Sequence, residues 1–256
     1  MGVNAKQRVV VMARASGLEI VAVPAFADNY LWLVHDQESQ ETAIVDPGDA
    51  APVLAAAEER GWHIGQVWNT HWHPDHTGGN QAVVAASGAT LSAPAAEASK
   101  IANIDVALKE GDSLRLGAHV GEVWEVPGHT LGHIAFVFRE AGVAFVGDTM
   151  FAMGCGRLFE GTPEQMFAAF GRLAELPDET LIYCAHEYTL ANARFAAAVE
   201  PGNQAIAERL AAVEAARGRG DATVPTTIAA ERATNPFLRA ATLAEFTRRR
   251  EWKDRF

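Results

Sequence analysis

Cysteine is scarce: the 256-residue chain holds two, Cys155 and Cys184, far apart in sequence. Two isolated thiols build no disulfide framework, so a small cross-linked secreted domain is excluded and the reducing cytoplasm is the expected compartment. Long apolar runs are missing as well. No stretch approaches the roughly 18 residues that a membrane span needs, and no membrane association is expected. Basic charge is also short, with 21 Lys+Arg against 32 Asp+Glu and a formal net charge of −11. A protein that grips nucleic acid by its phosphates carries a basic footprint, and none is visible here. The remaining composition, 49% hydrophobic and 21% charged, is that of a globular chain long enough for one large domain with a small appendage.

The first seventeen residues carry a short apolar patch with arginine on both sides. The patch is too brief for the core of a secretory leader, so 1–17 reads as an N-terminal extension. Beyond it, strand-like and helix-like segments alternate. Residues 18–24, 30–35 and 42–47 are rich in aliphatic and β-branched side chains and end at turn formers, as strands do. Residues 50–60 are alanine-rich and stop at Gly61, a helix-end signal. Residues 64–70 read as another strand, and the run from Gly78 as a helix. A second set follows, with strands at 119–126, 133–138, 143–148 and 180–185. Thr162, Pro163 and Gln165 form a helix start with a capping box, and that helix reaches about Leu176. Alternation of this kind suggests sheet inside and helices outside. From residue 201 onward helix signals dominate (204–217, 242–250), which suggests a small helical domain over 201–256 after a layered domain over 18–200.

The densest chemistry lies at 70–80, T-H-W-H-P-D-H-T-G-G-N, where His71, His73, Asp75 and His76 fall within six positions. His71 and Asp75 could share a helix face, but Pro74 removes a backbone donor and biases His73 towards an extended conformation. The stretch therefore reads as a loop leaving the strand at 64–70. Two apart on extended chain, His71 and His73 point the same way, and Asp75 and His76 follow after the chain has turned. Imidazole and carboxylate suit zinc, iron or manganese. A structural zinc site would draw on cysteine, and neither cysteine is near. Three more candidates stand at strand ends: His129, Asp148 and His186. Each follows an apolar strand as His71 does.

H-W-H-P-D-H, with G-H-T-L-G-H, F-V-G-D-T and A-H-E-Y-T in that order, resembles the signature set of the metallo-β-lactamase superfamily. G-C-G-R-L-F-E-G-T (154–162), H-E-Y-T (186–189) and N-P-F-L-R (235–239) are similar to motifs of the glyoxalase II, or hydroxyacylglutathione hydrolase, family. The resemblance implies a four-layer αβ/βα sandwich with a small C-terminal helical domain for substrate binding. It also implies two divalent metal ions at the sandwich edge, zinc above all, with iron or manganese as substitutes. On that pattern His71, His73 and His129 hold one metal and Asp75, His76 and His186 the other. Asp148 bridges them beside a water or hydroxide, and Asp46 supports a ligand histidine. The implied reaction is hydrolysis of S-D-lactoylglutathione to D-lactate and glutathione, the second step of methylglyoxal detoxification. The motifs point to Arg157, Phe159, Tyr188 and Arg239 for the substrate.

A lysine found shortly after the last arginine in some relatives is absent, so the grip on the substrate's glycine carboxylate is expected either to be weaker or to come from the C-terminal basic run. Otherwise Arg248 to Arg250 reads as a solvated helix face, Cys155 as a small turn residue, Trp68, Trp72 and Trp124 as packing, and His133 as support or packing. The rival on the same scaffold is a persulfide dioxygenase with one iron, which would use fewer of the seven ligands. The partner expected is a small molecule, and the expected state is a monomer.

Overall fold

The structure, a computed structural model, describes residues 10–256, with side chains from residue 16 onward. Residues 1–9 of the expected extension lie outside the described residues. Residues 10–15 depart from that expectation: they form β1 (Val10–Ala15), antiparallel to β2 (Leu18–Ala25). With β3 (Asn29–Asp36) and β4 (Thr42–Val45) these strands make an antiparallel meander, which β5 (Ile64–Trp68), β6 (Thr90–Pro94) and β7 (Val106–Leu108) extend in parallel. α1 (Ala50–Glu58) and α3 (Asn80–Ser87) are the crossovers; α2 (Pro74–Thr77) is a single turn between β5 and α3.

The second sheet runs β15-β14-β11-β10-β9-β8. Its strands are β8 (Ser113–Leu116), β9 (His119–Glu125), β10 (Ile134–Phe138), β11 (Val143–Gly147), β14 (Leu181–Cys184) and β15 (Thr226–Thr227). Between β11 and β14 lie a small hairpin, β12 (Met150–Phe151) with β13 (Gly154–Cys155), and α4 (Pro163–Leu173). The capping box of α4 is present as read: Thr162 accepts from the Gln165 amide and the Gln165 side chain accepts from the Thr162 amide. α5 (Thr189–Val199), α6 (Gln204–Arg219), α7 (Ile228–Thr234) and α8 (Leu243–Lys253) complete the chain.

Strand side chains alternate between faces, and here both faces are covered, so the strands are apolar on both. On β2, Ile20 and Ala22 enter the core between the sheets, whereas Val21 and Val23 face α1 and α3. Between the sheets Trp68 packs 5.9 Å from Phe136 and 5.8 Å from Phe138, and Trp32 meets Tyr183 edge-on at 5.0 Å. On the outer face of the second sheet, Met166 and Phe170 of α4 share a core with Phe195, Phe237 and Phe246. The result is helix, sheet, sheet, helix: the expected four-layer sandwich. Among the described residues no helix is long and apolar enough to cross a membrane.

Two readings need correction. Pro74 does not keep helix out of the 71–76 stretch; it starts one. Proline is suited to a helix's first position, where its missing N–H is not needed, and Pro74 opens the turn of α2. The run 248–250 is a solvated face only at Arg248. Arg250 is 5% exposed and donates to the Cys155 carbonyl at 2.6 Å, and Arg249 pairs with Glu200 at 3.2 Å.

The C-terminal segment reaches into the sandwich in another way. Backbone groups of the β12–β13 hairpin are held by side chains from later helices. Asn235, fully buried, donates to the carbonyls of Phe151 (3.3 Å) and Gly154 (2.9 Å), and Glu231 accepts from the Met153 amide at 2.8 Å. Asn192 donates to the Ala152 carbonyl at 3.2 Å. The hairpin follows Asp148 directly and leads into Arg157. Asn235→Ala removes its donors and leaves buried carbonyls unpaired, so it is expected to lower folding stability by about 2–3 kcal/mol. Denaturant unfolding of the metal-stripped chain measures this, and an unshifted midpoint would show that the clamp is dispensable.

Candidate metal centre

Strand polarity brings the chemistry to one edge. β4, β5, β9, β11 and β14 end at the same rim, and the segments leaving them carry Asp46, His71 to His76, His129, Asp148 and His186. Backbone bonds lace the two sheets together there. The Ile134 amide donates to the Thr70 carbonyl at 2.9 Å, the Tyr30 amide donates to the Ala185 carbonyl at 2.7 Å, and Asn29 bridges to His186. Two glycines are obligatory at this rim. A Cβ on Gly147, whose φ is +48°, would lie 2.3 Å from Thr70 Oγ1, and one on Gly48 would lie 1.8 Å from the Asp75 carbonyl oxygen.

All seven residues named for the metals converge. His73 Nδ1 lies 3.1 Å from His71 Nε2 and 3.0 Å from His129 Nε2. A second group forms beside it, where His76 Nε2 and His186 Nε2 each stand 3.5 Å from Asp75 Oδ2. Asp148 sits between the groups. Its Oδ2 is 3.3 Å from His129 Nε2 and 3.4 Å from His186 Nε2, and its Oδ1 is 3.5 Å from His76 Nε2.

The outward nitrogens explain which atoms face in. His76 Nδ1 meets Asp46 Oδ2 at 3.1 Å, His186 Nδ1 meets Asp28 Oδ1 at 2.8 Å, and His129 Nδ1 meets the Arg157 carbonyl at 2.8 Å. Each acceptor calls for a proton on Nδ1, which leaves Nε2 of the neutral ring as an inward lone pair. His71 reaches the same state through a relay. Thr70 donates its hydroxyl hydrogen to Asp46 at 2.7 Å and can only accept from His71 Nδ1 at 3.0 Å. Asp46 also accepts the Thr70 amide at 2.7 Å and holds a left-handed backbone, φ +51°. A non-glycine residue pays for such a conformation with strain, tolerated where surrounding bonds fix it. His73 differs in turning Nδ1 inward.

Lone pairs and carboxylate oxygens crowded in this way repel unless a cation lies among them. Two inward atoms, His76 Nε2 and Asp148 Oδ1, are buried with no hydrogen-bond partner, so the donor set fits bound metal. Electrostatics point the same way. Burial, then the neighbouring histidines, hold His71 far below the usual imidazole range, so it stays neutral and able to ligate. Burial would raise Asp148, but His186, His76 and His129 overcome it and hold the carboxyl well below the usual range. Burial lowers His186, yet Asp148 and Asp28 outweigh it and push that ring up to about 10, so positive charge is favoured at this point.

Residues 28–186 match the metallo-beta-lactamase superfamily, and residues 187–256 match the hydroxyacylglutathione hydrolase C-terminus. A hydroxyacylglutathione hydrolase of Methylococcus capsulatus is 54% identical over 222 residues, 87% of each chain. One of Maricaulis maris is 52% identical over 88% of each chain. The chain belongs to the hydroxyacylglutathione hydrolase family. Among solved structures, ETHE1 from Myxococcus xanthus superposes with a TM-score of 0.68 at 24% identity, covering 95% of this chain and 89% of that one. At that identity the likeness speaks for the fold alone. The TTHA1623 protein in a di-iron-bound form has a TM-score of 0.60 at 26% identity, covering 84% of this chain and 98% of that one.

Three of the four residues that the family motifs suggest for substrate lie around the histidine groups. Phe159 is exposed and stands edge-on to His73 (5.5 Å) and His129 (5.2 Å). The Arg157 guanidinium lies 5.9 Å from the Phe159 ring and 3.6 Å from Asp254. Tyr188 stacks flat on His186 at 4.7 Å. Arg239 is placed differently. It pairs with Glu200 at 2.9 Å and donates to the Arg232 carbonyl at 3.1 Å, lining a depression of about 670 Å³ at the α5–α6 turn. That depression and another of about 610 Å³, lined by His63 and Arg115, are separate from the histidine groups.

Three contributors were not legible in advance: Asp28, Asn29 (which donates to Asp75 Oδ2 at 3.0 Å) and Thr70, whereas His133 takes the support role read for it. His133 Nε2 accepts the Asp148 amide at 3.1 Å, and its ring stacks on His71 at 4.6 Å. Asp28→Ala frees the back of His186 and is expected to weaken metal uptake at the Asp75–His76–His186 group by about 10- to 100-fold. Titration calorimetry on stripped protein checks this, and wild-type affinity for both ions would refute the role.

Proposed function

We propose that the chain hydrolyses S-D-lactoylglutathione, and other S-2-hydroxyacylglutathiones, to the hydroxy acid and glutathione. What carries this reading is one juxtaposition: two His/Asp groups sharing Asp148, in a chain whose residues 187–256 match the hydroxyacylglutathione hydrolase C-terminus. In this reading His71, His73 and His129 hold one divalent ion, Asp75, His76 and His186 the other, and Asp148 both. Zinc suits the donor set, as do iron and manganese. When bound, two such ions supply Lewis acidity and lower the pKa of a water, so the protein need not provide a nucleophile.

The chain's own part is to bind, orient and exclude. Asp46, Asp28, Thr70 and the Arg157 carbonyl fix the ring orientations. Phe159 and Tyr188 flank the groups with apolar surface that displaces water from a bound thioester. The leaving thiolate has a pKa of about 8.5, so its departure asks for no strong acid. Glutathione is anionic and the chain is acidic, so recognition falls to local cations. Arg157 beside Phe159, with residues 201–256 as a substrate-binding domain, fits that need, whereas Arg249 and Arg250 of α8 are engaged by Glu200 and the Cys155 carbonyl. Arg239, engaged with Glu200, contributes by holding that domain together. The single-iron alternative would leave the Asp75–His76–His186 group without a task. We place the enzyme in the cytoplasm as a monomer, acting in methylglyoxal detoxification.

The test follows loss of the S-D-lactoylglutathione thioester absorbance with purified chain of known metal content. Turnover is expected with two ions bound, and its absence from fully loaded protein would defeat the reading. Asp148→Asn is expected to cut the occupancy of both ions together and turnover by at least about 100-fold, more than the loss of a supporting partner causes. Wild-type metal content and rate in that variant would sink the shared role.

A further inference from the structure

Two carboxylates outside the ligand set grip both loops that carry the three-histidine group. Glu97 lies just after β6, 2% exposed. Its Oε1 accepts from Thr130 Oγ1 at 2.5 Å and from the Gly132 amide at 3.1 Å. The Trp72 backbone amide also faces this carboxylate, although Oε2 completes no full hydrogen bond. The fit is close: a Cβ on Gly132 would lie 2.5 Å from Glu97 Cγ. Glu160 repeats the pattern from the solvent side. It accepts from Trp72 Nε1 at 2.8 Å and from the Leu131 amide at 3.2 Å, and Lys100 stands 2.7 Å from it.

The positions gripped are telling. Trp72 separates His71 from His73, and residues 130–132 follow His129 directly. A buried carboxylate is costly unless bonds repay it, and an apolar side chain would fill the space behind the loop more cheaply. Glu97 instead fixes the 130–132 loop from inside, and Glu160 accepts from both loops at once. The Asp75–His76–His186 group, by contrast, is fastened by Asp46, Asp28 and Asn29 and receives no bond from Glu97 or Glu160.

We propose that Glu97 and Glu160 form a two-sided brace that sets the spacing of His129 against His71 and His73, and are thereby positioning residues for one of the two ions only. The proposal rests on the reading that these three histidines hold an ion.

The experiment compares wild type with Glu97→Gln, Glu160→Gln and the double variant. Stepwise Zn²⁺ affinities of the stripped full chain are read by competition with a chromophoric chelator, beside the thermal midpoint of the stripped chain. Each single variant is expected to weaken one ion by about 10- to 100-fold while the other keeps its affinity. In a His129→Ala background, Glu97→Gln should then change nothing further. The brace is overturned if both ions keep wild-type affinity. It is equally overturned if both weaken in parallel with a fall in the midpoint, since that pattern is general destabilisation. Should Glu97→Gln fail to fold, the exposed-side Glu160→Gln and Thr130→Val decide the matter by the same criteria. A wild-type chain that takes up no Zn²⁺ would overturn the metal reading itself, and the brace with it.

Discussion

Electron-rich atoms do not gather at one point unless something holds them there. Five imidazole nitrogens and the oxygens of two carboxylates face one another at the rim of this sandwich, against their mutual repulsion. Four of the rings can do so because the nitrogen on the far side is tied to an acceptor: Asp46, Asp28, the Arg157 carbonyl, or Thr70 relaying to Asp46. Much of the local architecture serves those ties. Asp46 accepts a left-handed backbone to reach two histidine systems at once, and Gly147 and Gly48 keep the rim free of side chains that would push the loops apart.

The layers supply the rigidity behind this arrangement. Strands that are apolar on both faces draw their register from the fit of particular side chains, such as Trp68 against Phe136 and Phe138, rather than from alternation of polar and apolar residues. Backbone bonds between the sheets then fix the rim, where Thr70 meets Ile134 and Tyr30 meets Ala185. The C-terminal segment belongs to the same frame. β15 pairs with β14, and Asn235, Glu231 and Arg250 hold the hairpin that separates Asp148 from Arg157. The N-P-F-L-R motif is thereby split in role. Its asparagine secures the hairpin from inside, while its arginine is engaged at the α5–α6 turn.

Much of this was readable in the residues. Contiguity exposed His71, His73, Asp75 and His76, and apolar strands ending in a polar residue exposed His129, Asp148 and His186. The capping box at Thr162 was legible because helix starts are local chemistry. What stayed hidden depends on which distant pieces meet. Asp28 lies 158 residues from the histidine it orients, and nothing in F-A-D-N-Y announces that partner. β15 is two threonines beside a proline, a strand only because β14 offers an edge. Arg250 looked like a surface charge because an arginine triplet has no periodicity to betray a buried member. Pro74 misled because the same ring that breaks a helix interior is welcome at its first turn.

The order of synthesis gives the hairpin clamp a further consequence. The ribosome releases His71 to His76 long before His186, and Asn235 and Arg250 emerge almost last. A nascent chain therefore carries H-W-H-P-D-H before His129, Asp148 and His186 exist to join it. The hairpin between Asp148 and Arg157 therefore gains its clamp only once residues 231–250 have been made.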